Sequence, residues 1–278
     1  MAIVFALSAA FAWGCADFIG GLASRRLGVL TVLLLVEGGG LLVMAIVALI
    51  LQPEMLDLRL SLMALGAGLV GVCGLGLFYR GLAIGTMSVV APISATGVVL
   101  PVAVGVLGGE RPAALQWLGL IAVVAGVMLA SREQSSVVAD DGVARQSIVL
   151  ALLAALCFGA FFVLNRAPSE ESVAWTVLLI RLAPVPFLGL LWWRTGHERP
   201  SRKLGWGLFA AGSIDLAATS LIALANAEGD LSIVSVLASM YPVTTVILAA
   251  LLLHERLLLS QYVGVALALL GIGAVAGG

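Results

Sequence analysis

Charged side chains are scarce in this chain: Asp, Glu, Lys and Arg make up 10% of its 278 residues, where a soluble globular domain carries roughly 25%. That excludes an ordinary cytosolic enzyme. Net charge is −1 and no basic run extends beyond Arg199, Arg202 and Lys203, so nucleic acid is not expected as a partner. Cys15, Cys73 and Cys157 stand far apart, without CxxC or Cys/His spacing, which argues against a metal site or a disulfide framework. His197 and His254 fall in short connections and are not spaced as ligands. No Ser, Cys or Asp sits in a nucleophile motif, and no Walker loop is present. No metal site is expected. The N-terminal run MAIVFALSAAFAWGCADF has no basic start and carries an Asp within it, so it reads as a first helix and not as a cleaved signal peptide.

What is abundant is apolar sequence, at 62%. It falls into ten segments: 3–22, 31–51, 61–79, 87–107, 114–130, 147–165, 173–193, 204–224, 231–253 and 260–277. Only Asp17, Glu37, Arg181 and Asp215 bring charge into them. Each has about the ~20 residues an α-helix needs to cross a ~30 Å hydrocarbon core. The apolar/polar alternation of a barrel strand is missing. The expected fold is therefore an all-α polytopic membrane protein with ten transmembrane helices.

A shift of 145 residues superposes Glu110-Arg111 on Glu255-Arg256, Gln116 on Gln261, Gly119 on Gly264 and Gly126 on Gly271. At the same offset Trp13-Gly14 falls on Phe158-Gly159. The chain thus divides into two five-helix repeats, 1–131 and 147–278, with a polar linker over 132–146. An odd number of crossings per repeat inverts the second half in the membrane, which is the architecture of alternating-access transporters. The segments LAIGTMSVVAPISATGVVLPVAVGVLGGERPAALQWLGLIAVVAGVML and LSIVSVLASMYPVTTVILAALLLHERLLLSQYVGVALALLGIGAV both resemble the EamA repeat of the drug/metabolite transporter superfamily. In the second half Pro242 stands at the usual distance before Glu255. In the first, Gly97 takes that place and prolines occur at Pro92 and Pro101. The Arg often found in the second helix of the repeat is matched by Arg181, while the first half has Glu37. The resemblance implies a basket of ten helices around a central cavity lined by the first four helices of each repeat, with the fifth helices peripheral. It also implies export of small metabolites, amino acids or drugs, and no cofactor.

A charge inside a span costs ~2.5 to 3.5 kcal/mol even on lenient insertion scales, so such residues face a cavity or one another. Glu37 and Arg181 occupy corresponding second helices and are expected to meet across the pseudo-twofold axis. Two readings stay open: a pair that binds a zwitterion or breaks as access alternates, and a permanent buried bridge. Trp13 and Asp17, four residues apart, share a helix face with Gly14 and Gly21 on the same side, where they allow close approach. An aromatic beside a carboxylate suits an organic cation or an ammonium group, and the alternative is a packing Trp13 with Asp17 near the membrane interface. Asp215 and Thr219 form a polar stripe on the eighth helix. Proton or exchange coupling through Asp17, Glu37 or Asp215 is compatible with these positions. Ser232, Ser235 and Ser239 precede Tyr241 and Pro242 on the ninth helix. Ser239 and Tyr241 are candidate ligand contacts and Pro242 a kink, paired in the first half with Ser88, Pro92 and Thr96; the alternative for the three serines is close helix packing. Pro92 and Pro242 are thus candidate gates. The glycines of the third helix and Gly38 to Gly40 allow close packing. Tyr79 and Arg80 end the third helix, as an interfacial anchor or as a cavity rim. Glu110 and Glu255 are expected to bond nearby loop amides.

The expected activity is secondary active export of amino-acid-like or amphipathic metabolites, in a multi-pass protein of the bacterial plasma membrane. Its partners are a small-molecule substrate and the lipid bilayer, and a monomer suffices. The alternative is a membrane-embedded enzyme, such as an intramembrane hydrolase or a lipid-modifying transferase. Connections on one side of the membrane carry ten basic residues against three on the other, which favours an external N-terminus; the resemblance implies cytoplasmic termini.

Overall fold

The computed structural model describes residues 1–24, 26–84, 90, 93–130, 141–195, 200–252 and 258–277. Among these residues the regular structure is helical. The helices are α1 (Ala2–Ser24), α2 (Val29–Leu51), α3 (Leu58–Ile84), α4 (Val99–Leu107, entered through a 3-10 turn at Thr96–Val98), α5 (Ala114–Ala130) and α6 (Asp141–Glu171). They continue with α7 (Val173–Leu182), α8 (Pro184–Thr195), α9 (Arg202–Glu228), α10 (Leu231–Ala238), α11 (Tyr241–Leu252) and α12 (Leu259–Gly277).

Seven stretches among the described residues are long and apolar enough to cross a membrane: α1, α2, α9, α12, residues Leu58–Leu82 of α3, residues Arg145–Glu171 of α6, and α7 with α8 taken together as Val173–Thr195. Three expected spans are shorter, at Ile93–Leu107, Ala114–Leu129 and Leu231–Thr245. The expected span 231–253 breaks at Ser239–Met240, because Pro242 has no N–H to give and sits in the first turn of α11, where none is needed. A second break, not anticipated, falls at Ala183. Pro184 cannot bond the carbonyl of Ile180, four residues back. Elsewhere helices outrun their apolar cores. α6 covers 141–171 where 147–165 was expected, so the linker is already helical from Asp141, and α3 runs on past Tyr79 to Ile84. Hydropathy marks what lipid can cover, whereas backbone hydrogen bonding continues for another turn or two into the water.

The seams between helices come in matched pairs. α1 lies along α9 and α3 along α6, while α5 lies along α12. Gly68 abuts the Ile180 carbonyl and Gly212 the Val36 carbonyl, both too close for any Cβ. Gly119 meets Gly271 and Gly126 meets Gly264, so α5 and α12 run antiparallel. Gly14 presses on Tyr241 and Thr244, and Gly159 on Gly97 and Leu100. Even the helix starts agree: Gln116 accepts from the Ala113 amide at 2.8 Å, and Gln261 from the Leu258 amide at 2.7 Å. Every one of these contacts maps onto its partner under a shift of 144 or 145 residues. Gly21 and Gly38, by contrast, face open space, so the close approach expected at Gly21 does not occur. The outer face is apolar, with Leu49, Leu118, Leu251 and Leu270 exposed, as a lipid-facing surface must be.

Candidate functional site

A cavity of about 100 Å³ opens between α1, α2, α3, α6, α7, α9 and α11. Its charged floor is centred on Arg181, the second-last residue of α7. Arg181 Nη1 donates to Glu37 Oε2 at 2.8 Å and lies 2.5 Å from Asp215 Oδ2. Nη2 donates to the Asp215 carbonyl at 3.2 Å and to the Thr219 hydroxyl. Thr219 in turn donates to the Asp215 carbonyl at 3.0 Å. The spacing of four that places Asp215 and Thr219 on one face of α9 lets both reach the same guanidinium. Side-chain exposure is 3% for Arg181, 8% for Glu37 and 14% for Asp215, so screening by water is slight. Nε of Arg181 is buried without a hydrogen-bond partner among the described residues.

Asp17, one turn below Trp13 on α1, forms the second polar corner. Tyr79, buried on α3, donates to Asp17 Oδ1 at 3.1 Å. Trp13 stands edge-on to Phe161 and Phe162, each 6.1 Å away between ring centroids, and Phe158 continues this wall. Tyr241 closes it from α11; its hydroxyl is buried and has no hydrogen-bond partner among the described residues. Gly68, Gly71, Val72 and Leu75 of α3 and Ile180 of α7 complete the lining, and Gly71 leaves only enough room for the Phe161 ring.

Of the candidate ligand residues read from the sequence, Trp13, Asp17, Glu37, Arg181, Asp215 and Tyr241 line this one space, together with Thr219 of the same polar stripe. Glu37 and Arg181 meet directly. Tyr79 is neither an interfacial anchor nor part of the lining: it backs Asp17 from behind. Ser239 is buried and donates to the Val236 carbonyl at 2.7 Å, away from the cavity. Pro242 is the second residue of α11, directly after Tyr241. Pro92, Ser88, Glu255 and both histidines lie outside the described residues. Phe158, Phe161 and Phe162 were not foreseen, although Phe158 is the repeat counterpart of Trp13 and was legible at the 145-residue offset.

Glu110 bonds backbone amides, but those of a helix start in the other half of the chain and not of a nearby loop. Its Oε1 accepts from Leu231 N at 2.7 Å and from Arg166 Nη1 at 2.7 Å, and its Oε2 from Ser232 N at 3.0 Å. A carboxylate there meets both the unpaired amides and the positive end of the α10 dipole.

An all-helical chain with an apolar exterior and a buried, charge-lined cavity defines a multi-pass integral membrane protein. Comparison with protein families matches residues 1–132 and 145–277 to the EamA-like transporter family, and the chain belongs to that family. No curated protein matches it in sequence. Among solved structures, one described as "Crystal structure of protein" superposes with a TM-score of 0.78 over 98% of this chain and 95% of its own, at 15% identity. That likeness speaks for the fold alone.

Proposed function

We propose that this chain is a secondary active transporter that moves small organic metabolites by alternating access, in the direction of export. In this reading ten crossings form two inverted repeats, 1–131 and 147–278, joined through 132–146, in a bacterial plasma membrane. The cavity between the repeats is the substrate site. The observation that carries the reading is the buried Glu37–Arg181–Asp215 cluster, which draws one residue from the first half and two from the second. Ionic groups placed on facing helices at a seam can re-pair when the helices shift. The glycine-lined seams, matched in pairs, support a motion in which one half rocks against the other. Proton or exchange coupling would pass through Asp17, Glu37 or Asp215.

The test is two-sided accessibility. With Cys15, Cys73 and Cys157 replaced by Ala, a single Leu75→Cys on the cavity wall is challenged with a membrane-impermeant maleimide in right-side-out and in inverted vesicles. Labelling from both sides is expected. Labelling from one side only would sink alternating access and favour the membrane-embedded enzyme.

A further inference from the structure

The cavity also carries information about what it holds, given that it is a substrate site. Its lining has three carboxyl groups, Asp17, Glu37 and Asp215, against the single guanidinium of Arg181. That guanidinium is already committed to Glu37 and Asp215. A substrate carboxylate approaching it would meet those two acids first, so the zwitterion reading of the Glu37–Arg181 pair loses its anion-binding half. Asp17 is the acid without a cationic partner among the described residues; its hydrogen bond comes from the neutral hydroxyl of Tyr79.

Facing the acids are Trp13, Phe158, Phe161 and Tyr241. Aromatic faces attract a cation through their quadrupole, and more strongly where water is excluded. Two residues of the lining, Arg181 and Tyr241, each hold a buried donor, Nε and the hydroxyl, without an acceptor among the described residues. A buried donor left unmade is costly, and a neutral oxygen would satisfy one without bringing in further negative charge. We infer that the cavity takes an organic cation that also bears an uncharged oxygen acceptor, such as an amino amide or an amino alcohol, in preference to a free amino acid. The ammonium group is held between Asp17 and the aromatic wall, and the oxygen by Tyr241 or by Nε of Arg181.

The inference rests on the transporter reading but is tested apart from it. The purified full-length protein is heated in detergent with glycinamide, leucinamide, phenylalaninamide or choline, and in parallel with glycine, leucine, phenylalanine and N-acetylleucinamide. A ligand that binds the folded state raises the unfolding temperature in proportion to its occupancy. At least one cationic compound is expected to stabilise at a concentration at least tenfold lower than its zwitterionic or neutral counterpart. Asp17→Asn, which preserves the Tyr79 contact, is expected to raise the concentration required about tenfold, and Tyr241→Phe to raise it about three- to fivefold for choline and the amides. Equal or stronger stabilisation by the amino acids or by N-acetylleucinamide overturns the inference, as does the absence of any shift with all four cations. Two-sided labelling of Leu75→Cys would still stand in either case, so the two failures are distinguishable.

Discussion

The two halves of the molecule agree where backbone touches backbone and disagree where side chains face the cavity. Gly68 on Ile180 is repeated as Gly212 on Val36, and Gly119 on Gly271 as Gly264 on Gly126. Around the cavity the same offsets pair Trp13 with Phe158, Asp17 with Phe162, Gly71 with Asp215, Leu75 with Thr219, and Glu37 with Arg181. Every acid in the lining therefore has an uncharged or oppositely charged counterpart. A helix crossing at backbone contact has one solution, a residue without Cβ, and both halves must use it. A cavity wall only has to avoid overfilling, so the two halves can divide the chemistry between them. The scaffold is twofold and the site is one-handed.

The largest effect is expected from attacking the one-handed part. Arg181→Met leaves Glu37 and Asp215 buried and facing each other, and breaking a buried pair in this way costs about 3–5 kcal/mol. Thermal unfolding in detergent should show it, with partial recovery in Arg181→Lys. The double variant Glu37→Arg with Arg181→Glu sharpens the point. It restores a pair but sets a carboxylate against Asp215, so it is expected to remain unstable, whereas a site that was symmetric about that pair would tolerate it. Next come the seams. Gly68→Val and Gly212→Val each force a side chain against a carbonyl, for about 1–3 kcal/mol, and the two losses should match within about 0.5 kcal/mol. Clearly unequal losses would break the comparison on its packing side.

Smaller effects are expected at the rim. Glu110→Gln weakens the charge-assisted bonds to the first amides of α10 and should cost about 1–2 kcal/mol. Arg166, whose side chain is 28% exposed, is worth less; Arg166→Gln should cost at most about 1 kcal/mol. The position 145 residues before Arg166 is Gly21, which faces open space, so Gly21→Ala is expected to be neutral or slightly stabilising in the same unfolding assay. The two ends of the bundle are then fastened unequally.

Much of this was legible in the sequence for a physical reason. Long apolar runs have one stable form in lipid, and a repeat offset predicts which residues face each other across the axis. Glu37 and Arg181 were paired on that ground alone. Asp215 was seen as a lone acid, because its approach to Arg181 depends on how α9 crosses α7, which no spacing along the chain encodes. Tyr79 was misread because its apolar segment ends there, whereas the helix does not. The Pro184 break hid inside an otherwise smooth apolar run, and the two flanking half-helices still read as one span. Phe161 and Phe162 carry no signal that separates a cavity wall from ordinary packing.

The unequal share of charge around the cavity has an electrical consequence. With its carboxyls ionised, the empty cavity holds two more negative charges than positive ones, and in the proposed alternating-access cycle, rocking it from one face of the membrane to the other would carry that excess through the field. Each elementary charge crossing 100 mV is worth about 2.3 kcal/mol. The empty protein would therefore rest with its cavity toward the positive side of the membrane, while a bound monocation removes half of the excess and loosens that bias. Resting voltage alone would set which way the carrier waits, and loading it would release the hold.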